Sequence, residues 1–231
     1  MKKISLFFLT LLIIACGNKQ KDLTVIATIK GLQKGTVYLK KMQDTVLVTV
    51  DSVSVNGNSN ITLYSDIDTP EVFFLYLDKN SSEKDRIPFF ADKGITEINT
   101  TLKNFTFDAK IKGSKQQKVL EEYQKFLSRT NNRNLDLIKE AFDAKKINDT
   151  IKLNAIEKEQ NSAIKRKYLY TVNFALNNKD SEVAPYLALT EIYNARIDLL
   201  DTINKSITPE VKASKYGLEL EKFIQKIKET E

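Results

Sequence analysis

From Leu23 to Lys112 apolar and polar residues alternate with period two, in short runs separated by turn residues, which is the pattern of β-strands. Val25, Ala27 and Ile29 alternate with Thr24, Ile26, Thr28 and Lys30 before Gly31 to Gly35 turn the chain. Thr36 to Met42 predicts a second strand, with Val37, Leu39 and Lys41 on one face. Val46 to Val55 predicts a third, leading into Asn56-Gly57, a strong hairpin signal from which Ile61 to Tyr64 returns. Val72 to Leu77 is apolar throughout, which predicts a strand in the middle of the unit, covered on both faces. Ile87 to Ala91 then turns at Lys93-Gly94 into Thr96 to Leu102, and Phe105 to Ile111 closes the unit at Gly113-Ser114.

At Ser114 the period becomes helical. Val119, Leu120, Tyr123, Phe126 and Leu127 recur at helical spacing, and a second segment carries Leu135, Ile138, Ala141 and Phe142. Thr150 to Asn177 predicts the longest helix, with Ile156, Ala163, Ile164, Tyr168, Val172 and Ala175 on one side. Asp180 or Ser181 caps the next, which holds Tyr186, Leu187, Leu189, Ile192 and Tyr193. Thr208-Pro209-Glu210 places proline where its missing N–H is harmless, and the last helix carries Leu218, Leu220, Phe223, Ile224 and Ile227. Strands first and helices second predict an α+β chain. Its parts are an N-terminal antiparallel β-sandwich or open barrel over residues 23–113 and an all-helical module over 114–231.

Ahead of this body, Lys2 and Lys3 precede an apolar run from Ile4 to Ile14, then Ala15 and the sole cysteine, Cys16. Charged head, apolar middle and small residue are the layout of a secretory signal. The run is shorter than the ~20 residues a membrane-spanning helix needs. Ile13-Ile14-Ala15-Cys16 resembles the lipobox of bacterial lipoproteins. That resemblance implies removal of residues 1–15 and acylation of Cys16, with residues 16–22 as the lipidated cysteine and its tether. Stable attachment takes more than one acyl chain, at ~0.8 kcal/mol per buried methylene, and a lipoprotein cysteine meets that condition. At ~3.5 Å per residue the tether keeps the first strand within about 20 Å of the lipid. Asn18 supplies no acidic inner-membrane retention signal, so the expected location is the cell envelope, anchored to the outer membrane and facing the periplasm.

The formal charge of +6 rests on 36 basic against 30 acidic side chains and falls by two when Lys2 and Lys3 leave. Lysines alternate with acids and form no stripe, which argues against nucleic acid as a partner. The sequence has no histidine, so Ser-His-Asp, Cys-His and imidazole metal sites are excluded. With the one thiol consumed by lipid, no disulfide and no Cys-x-x-Cys pair can form. A metal would have to be a hard cation held by oxygens. The expectation is therefore no cofactor, no metal and no catalytic residue.

Asp66 and Asp68 lie on one side of an extended segment, yet they lack the glycine and distal glutamate of a calcium loop and read as a polar turn before Pro70. Glu157 and Glu159 sit on a lysine-rich helix, where solvated i,i+4 pairing is the default. Tyr168, Tyr186 and Tyr193 are candidates for lining a ligand groove between helices, although the same spacing serves a helical core. Asp44-Thr45-Val46, Asp51-Ser52-Val53, Asp149-Thr150-Ile151 and Asp201-Thr202-Ile203 each resemble the acceptor of periplasmic O-glycosylation. The candidate acceptors are thus Thr45, Ser52, Thr150 and Thr202, with Asp149 and Asp201 competing as helix-start residues.

A lipobox, strands carrying Asp51-Ser52-Val53 and Asn56-Gly57, a closing Gly113-Ser114, then helices with Asn178 to Ser181 and Ser214 to Gly217 form a recognisable order. It resembles the N-terminal domain of unknown function that precedes the thioredoxin-like domain in TlpA/ResA-like thiol-disulfide interchange lipoproteins. The likeness runs roughly from Leu23 onward. Relatives carry a Cys-x-x-Cys that this sequence lacks, so no redox role transfers to any residue. The expected function is a lipid-anchored, non-catalytic binding or scaffold module, with the membrane and an envelope protein as partners. The alternative is an accessory to envelope thiol-disulfide exchange without a redox site of its own.

Overall fold

A computed structural model describes residues 21–78 and 86–230; the expected signal segment, residues 1–15, and Cys16 lie outside them. Eight strands come first: β1 Leu23–Lys30, β2 Lys34–Gln43, β3 Val46–Asn56, β4 Asn60–Ser65, β5 Glu71–Asp78, β6 Arg86–Ala91, β7 Gly94–Thr101 and β8 Lys110–Lys112. Six helices follow: α1 Lys115–Lys146, α2 Thr150–Asn177, α3 Val183–Glu191, α4 Ile197–Ser206, α5 Pro209–Lys212 and α6 Lys215–Thr230. The fold is α+β. Its strands form two open four-stranded sheets, ordered β4-β1-β7-β8 and β3-β2-β5-β6, so the sandwich is the alternative realised and no barrel closes.

The alternation read along β1 fixes which face is buried. Leu23, Val25, Ala27 and Ile29 point inward, where they meet Val37 and Leu39 of β2, Ile61 and Leu63 of β4, and Phe73, Leu75 and Leu77 of β5. Phe73 and Phe89 stack between neighbouring strands at 6.1 Å. Two expectations about connectivity change. Asn56-Gly57 closes no hairpin: β3 pairs with β2, whereas β4 pairs with β1 in the other sheet. Gly57, at φ 84°, donates its N–H to the Gln33 carbonyl at 2.8 Å and sends the chain across the core instead of back along β3. β1 also runs parallel to β7, so the sandwich is not wholly antiparallel.

β5 is covered on both faces, and the second cover is helical. Val72 and Phe74 point away from the sandwich core, beside Phe90 of β6, into a cluster with Leu120, Tyr123, Val183, Leu187 and Tyr216. Polar contacts fix this junction. The ladder from β2 ends at Phe73, and the next amide, Val72 N–H, donates to the Tyr216 hydroxyl at 3.0 Å. β6 is an edge strand, and its Phe90 N–H donates to Gln117 Oε1 at 2.8 Å, which blunts that edge. Glu71, almost fully buried, accepts from Lys41 Nζ at 2.8 Å and from Lys215 Nζ at 2.6 Å, tying β2, β5 and α6 together.

The starts of α1, α2 and α5 follow capping side chains, whereas Glu182 before α3 and Arg196 before α4 make no such bond. Ser114 Oγ accepts from Gln117 N–H, and Asp92 Oδ2, just past β6, accepts from Lys115 N–H at 2.6 Å, so α1 begins directly after β8 with its first turn held beside the end of β6. Asp149 caps α2 and Thr208 caps α5, with Pro209 just inside. Ser181 Oγ accepts from Val183 N–H at the start of α3. α1 is one helix where two segments were expected, because nothing between Thr130 and Leu135 breaks it. At 32 residues it is about 48 Å long, and its far half packs against α2. The seam there is Leu137, Ala144 and Ile156, so Leu135, Ile138 and Phe142 stay 63%, 52% and 62% exposed. Beyond the hairpin, Val172, Ala184, Ala188, Leu200, Ile203, Leu220 and Ile224 form the core of the helical module.

Candidate functional site

Asn161, Ile164, Lys165 and Tyr168 follow the i, i+3, i+4, i+7 spacing that puts four side chains on one face of α2. With Leu169 they form one wall of a groove, and the other wall is Leu199, Arg196 and Asp198 at the start of α4. The groove encloses about 640 Å³. Ile164 is 50% and Leu169 58% exposed, which leaves two large apolar side chains facing water inside it.

Polar groups define the rim. The Tyr168 hydroxyl donates to Asn194 Oδ1 at 3.0 Å, holding α2 against the loop before α4. The Arg196 guanidinium lies against Asp198 through Nε to Oδ1 at 3.1 Å and Nη2 to Oδ2 at 2.7 Å. Lys165 makes no hydrogen bond or ion pair with any described residue. Two cations and one already engaged carboxylate therefore face the groove, which has an apolar wall and a net positive rim.

The three tyrosines singled out by spacing are not brought together. Tyr168 lines the groove, whereas Tyr193 is exposed on the loop after α3 and is not part of the lining. Tyr186 sits in the junction between sheet and helices, edge-on to Phe90 at 5.5 Å and to Tyr216 at 5.1 Å. Burial pushes its hydroxyl up, with a smaller contribution from Glu191. Its helix faces β6, and that orientation is invisible to a count along α3 alone. Tyr170 and Phe174 also serve packing, against Phe126 and Tyr123. Burial pushes the Tyr123 hydroxyl up to about 12, against the 2.8 Å hydrogen bond it shares with Thr171.

The remaining candidates lie apart from one another. Thr45 is exposed in the turn between β2 and β3, Ser52 on the outer face of β3, and Thr150 at the first position of α2. Thr202 is exposed on α4, but its hydroxyl donates to the Asp198 carbonyl at 2.7 Å. Asp66 and Asp68 flank the buried Ile67, and Asp66 accepts from Lys21 at 2.6 Å. Glu159 departs from the expected pairing within its helix. It takes a two-pronged contact at 2.8 and 2.9 Å from Arg133 on α1, which also reaches Glu140 and holds the Glu159 carboxyl below its ordinary range. Among the described residues no three acidic side chains gather as metal ligands, and no helix is long and apolar enough to cross a membrane.

Residues 23–120 match the family model described as Domain of unknown function (DUF4369). The DUF4369 match spans both sheets and the first turns of α1, ending at Leu120, whose side chain packs in the junction cluster. The groove, built from residues 161–199, lies beyond it. No curated protein matches the chain. Sequence reasoning reached Tyr168 and missed Asn161, Lys165, Leu169, Arg196, Asp198 and Leu199. The spacing on α2 was there to find, but the facing wall follows from the docking of α4, which no local pattern encodes.

Proposed function

We propose that the protein is a lipid-anchored module of the cell envelope, held by an acylated Cys16 at the outer membrane and facing the periplasm, that binds a ligand or an envelope partner without catalysing a reaction. The groove between α2 and α4 carries this reading: an apolar wall, a few convergent polar groups and a volume in the ~300–1,000 Å³ range of small-molecule sites. The lipobox-like Ile13-Ile14-Ala15-Cys16 supports the anchor. Cys16→Ser is expected to move the protein from the membrane to the soluble fraction; a variant that still sediments with membranes sinks the anchor. Mild extraction of the native protein followed by mass spectrometry is expected to recover a bound small molecule or a partner. Recovery of neither counts against a binding role.

A second reading, an accessory role in envelope thiol-disulfide exchange, is supported by the DUF4369 match together with the resemblance to TlpA/ResA-like lipoproteins. It assigns no redox residue to this chain. Deleting the gene and comparing free and oxidised thiols across envelope proteins tests it, and an unchanged pattern dismisses it.

A further inference from the structure

We infer that the groove between α2 and α4 takes a single-chain amphiphile with one anionic head, of the fatty-acid class. The inference deepens the binding-module reading and rests on it. Ile164, Tyr168, Leu169 and Leu199 offer apolar surface, and half-exposed Ile164 and Leu169 gain from being covered by an alkyl chain. At the rim, Lys165 is an unpaired ammonium and Arg196 uses only Nε and Nη2 on Asp198, leaving Nη1 without a partner among the described residues. The Asp198 carboxylate is turned onto that guanidinium. The rim therefore presents one positive charge beyond what it neutralises, which suits a monoanion. Arg196 also offers the fork geometry that a carboxylate accepts.

The charge pattern separates this ligand from neutral and cationic competitors. A neutral alkyl compound leaves Lys165 and the free guanidinium nitrogen without a counter-charge. A cationic head meets two positive side chains at close range, where like charges repel. No step of chemistry is involved: the ligand enters and leaves intact. Because the contribution of an alkyl chain grows with its length, affinity rises about 3–4-fold per added methylene that the wall covers.

The test uses the full chain carrying Cys16→Ser, which needs no detergent, titrated calorimetrically with decanoate, dodecanoate and dodecyltrimethylammonium below their aggregation concentrations. Dodecanoate is expected to bind at one site, about 10-fold tighter than decanoate and at least about 10-fold tighter than the cationic probe. Lys165→Gln with Arg196→Gln is expected to erase the preference for the anion while leaving the far-ultraviolet spectrum unchanged, since both side chains are exposed. Leu169→Asp is expected to abolish dodecanoate uptake. Absence of saturable dodecanoate binding, equal binding of the cationic probe, or an unchanged preference in the double variant overturns the inference. None of those results touches the membrane anchor or a protein partner, which fractionation and mild extraction test separately.

Discussion

The Val72 amide and the Tyr216 hydroxyl meet at 3.0 Å across the boundary between sheet and helices, 144 positions apart in the chain. Val72 lies one residue past the end of the β2 ladder, and Tyr216 supplies the acceptor that a strand would otherwise have offered. Tyr216→Phe keeps the ring contacts with Phe90 and Tyr186 but leaves a buried N–H without a partner. The expected loss is about 1–3 kcal/mol, read as a lower urea midpoint at unchanged slope.

Gly217 sits inside α6, where helix propensity alone predicts that alanine stabilises by about 1 kcal/mol. The packing of α5 reverses that sign. A β-carbon at this position would stand 2.1 Å from the Val211 carbonyl oxygen and 2.7 Å from that of Lys212. Both are backbone atoms and cannot swing away. Gly217→Ala is expected to destabilise by at least about 2 kcal/mol in thermal or urea unfolding.

The far half of the α1–α2 hairpin supplies a paired comparison. Leu137 is fully buried in the seam, and its neighbour Ile138 is half exposed. Leu137→Ala is expected to destabilise by about 2–4 kcal/mol. Ile138→Ala should stay within about 0.5 kcal/mol. Equal losses at the two positions would mean that the outer stripe of α1 is covered after all.

Glu182 gives the stability a pH dependence with a definite sign. Burial, helped by the nearby Asp92 and Asp180, raises its carboxyl above the ordinary value of 4.5, while the contact from Gln116 Nε2 at 2.5 Å opposes the rise. The folded chain therefore holds this proton more readily than the unfolded one, and stability falls as pH climbs from the ordinary value to the raised one. Glu182→Gln keeps an acceptor for Gln116 and does not titrate. Its stability relative to wild type is expected to be greater at about pH 7 than at about pH 4, measured by paired urea curves. A difference independent of pH refutes the assignment.

Local periodicity carried most strands and helices because most of them bury one face, whereas the stretch from Phe105 to Ile111 runs through turns and becomes a strand only at Lys110–Lys112. β1 is the clearest case: Val25, Ala27 and Ile29 were marked as one face by alternation, despite the apolar Ile26 on the other, and the structure adds Leu23 to the buried row. β5 announced two-sided burial by its unbroken apolar run, although only the fold reveals that α1, α3 and α6 provide the outer cover. Long-range choices were not legible. Asn56-Gly57 has the chemistry of a hairpin, but the ladder that β1 offers to β4 draws the strand into the other sheet. Leu135, Ile138 and Phe142 have core-like spacing on the far half of α1, where α2 packs against a different face. In the groove, Tyr168 was readable from spacing, while Lys165 and Arg196 acquire meaning only when α4 docks beside α2.

The parallel pairing of β1 with β7 sets a clock on assembly. Leu23 aligns with Gly94 and Lys30 with Thr101, so the earliest strand to be made cannot complete its sheet until the chain has grown past the seventh. At about 5–20 residues per second of synthesis, that is a wait of several seconds with the Leu23, Val25, Ala27 and Ile29 row unsheltered. Closing so distant a contact is intrinsically slow. A nascent chain of this kind remains threadable through narrow passages for longer than one whose first strands meet in a local hairpin.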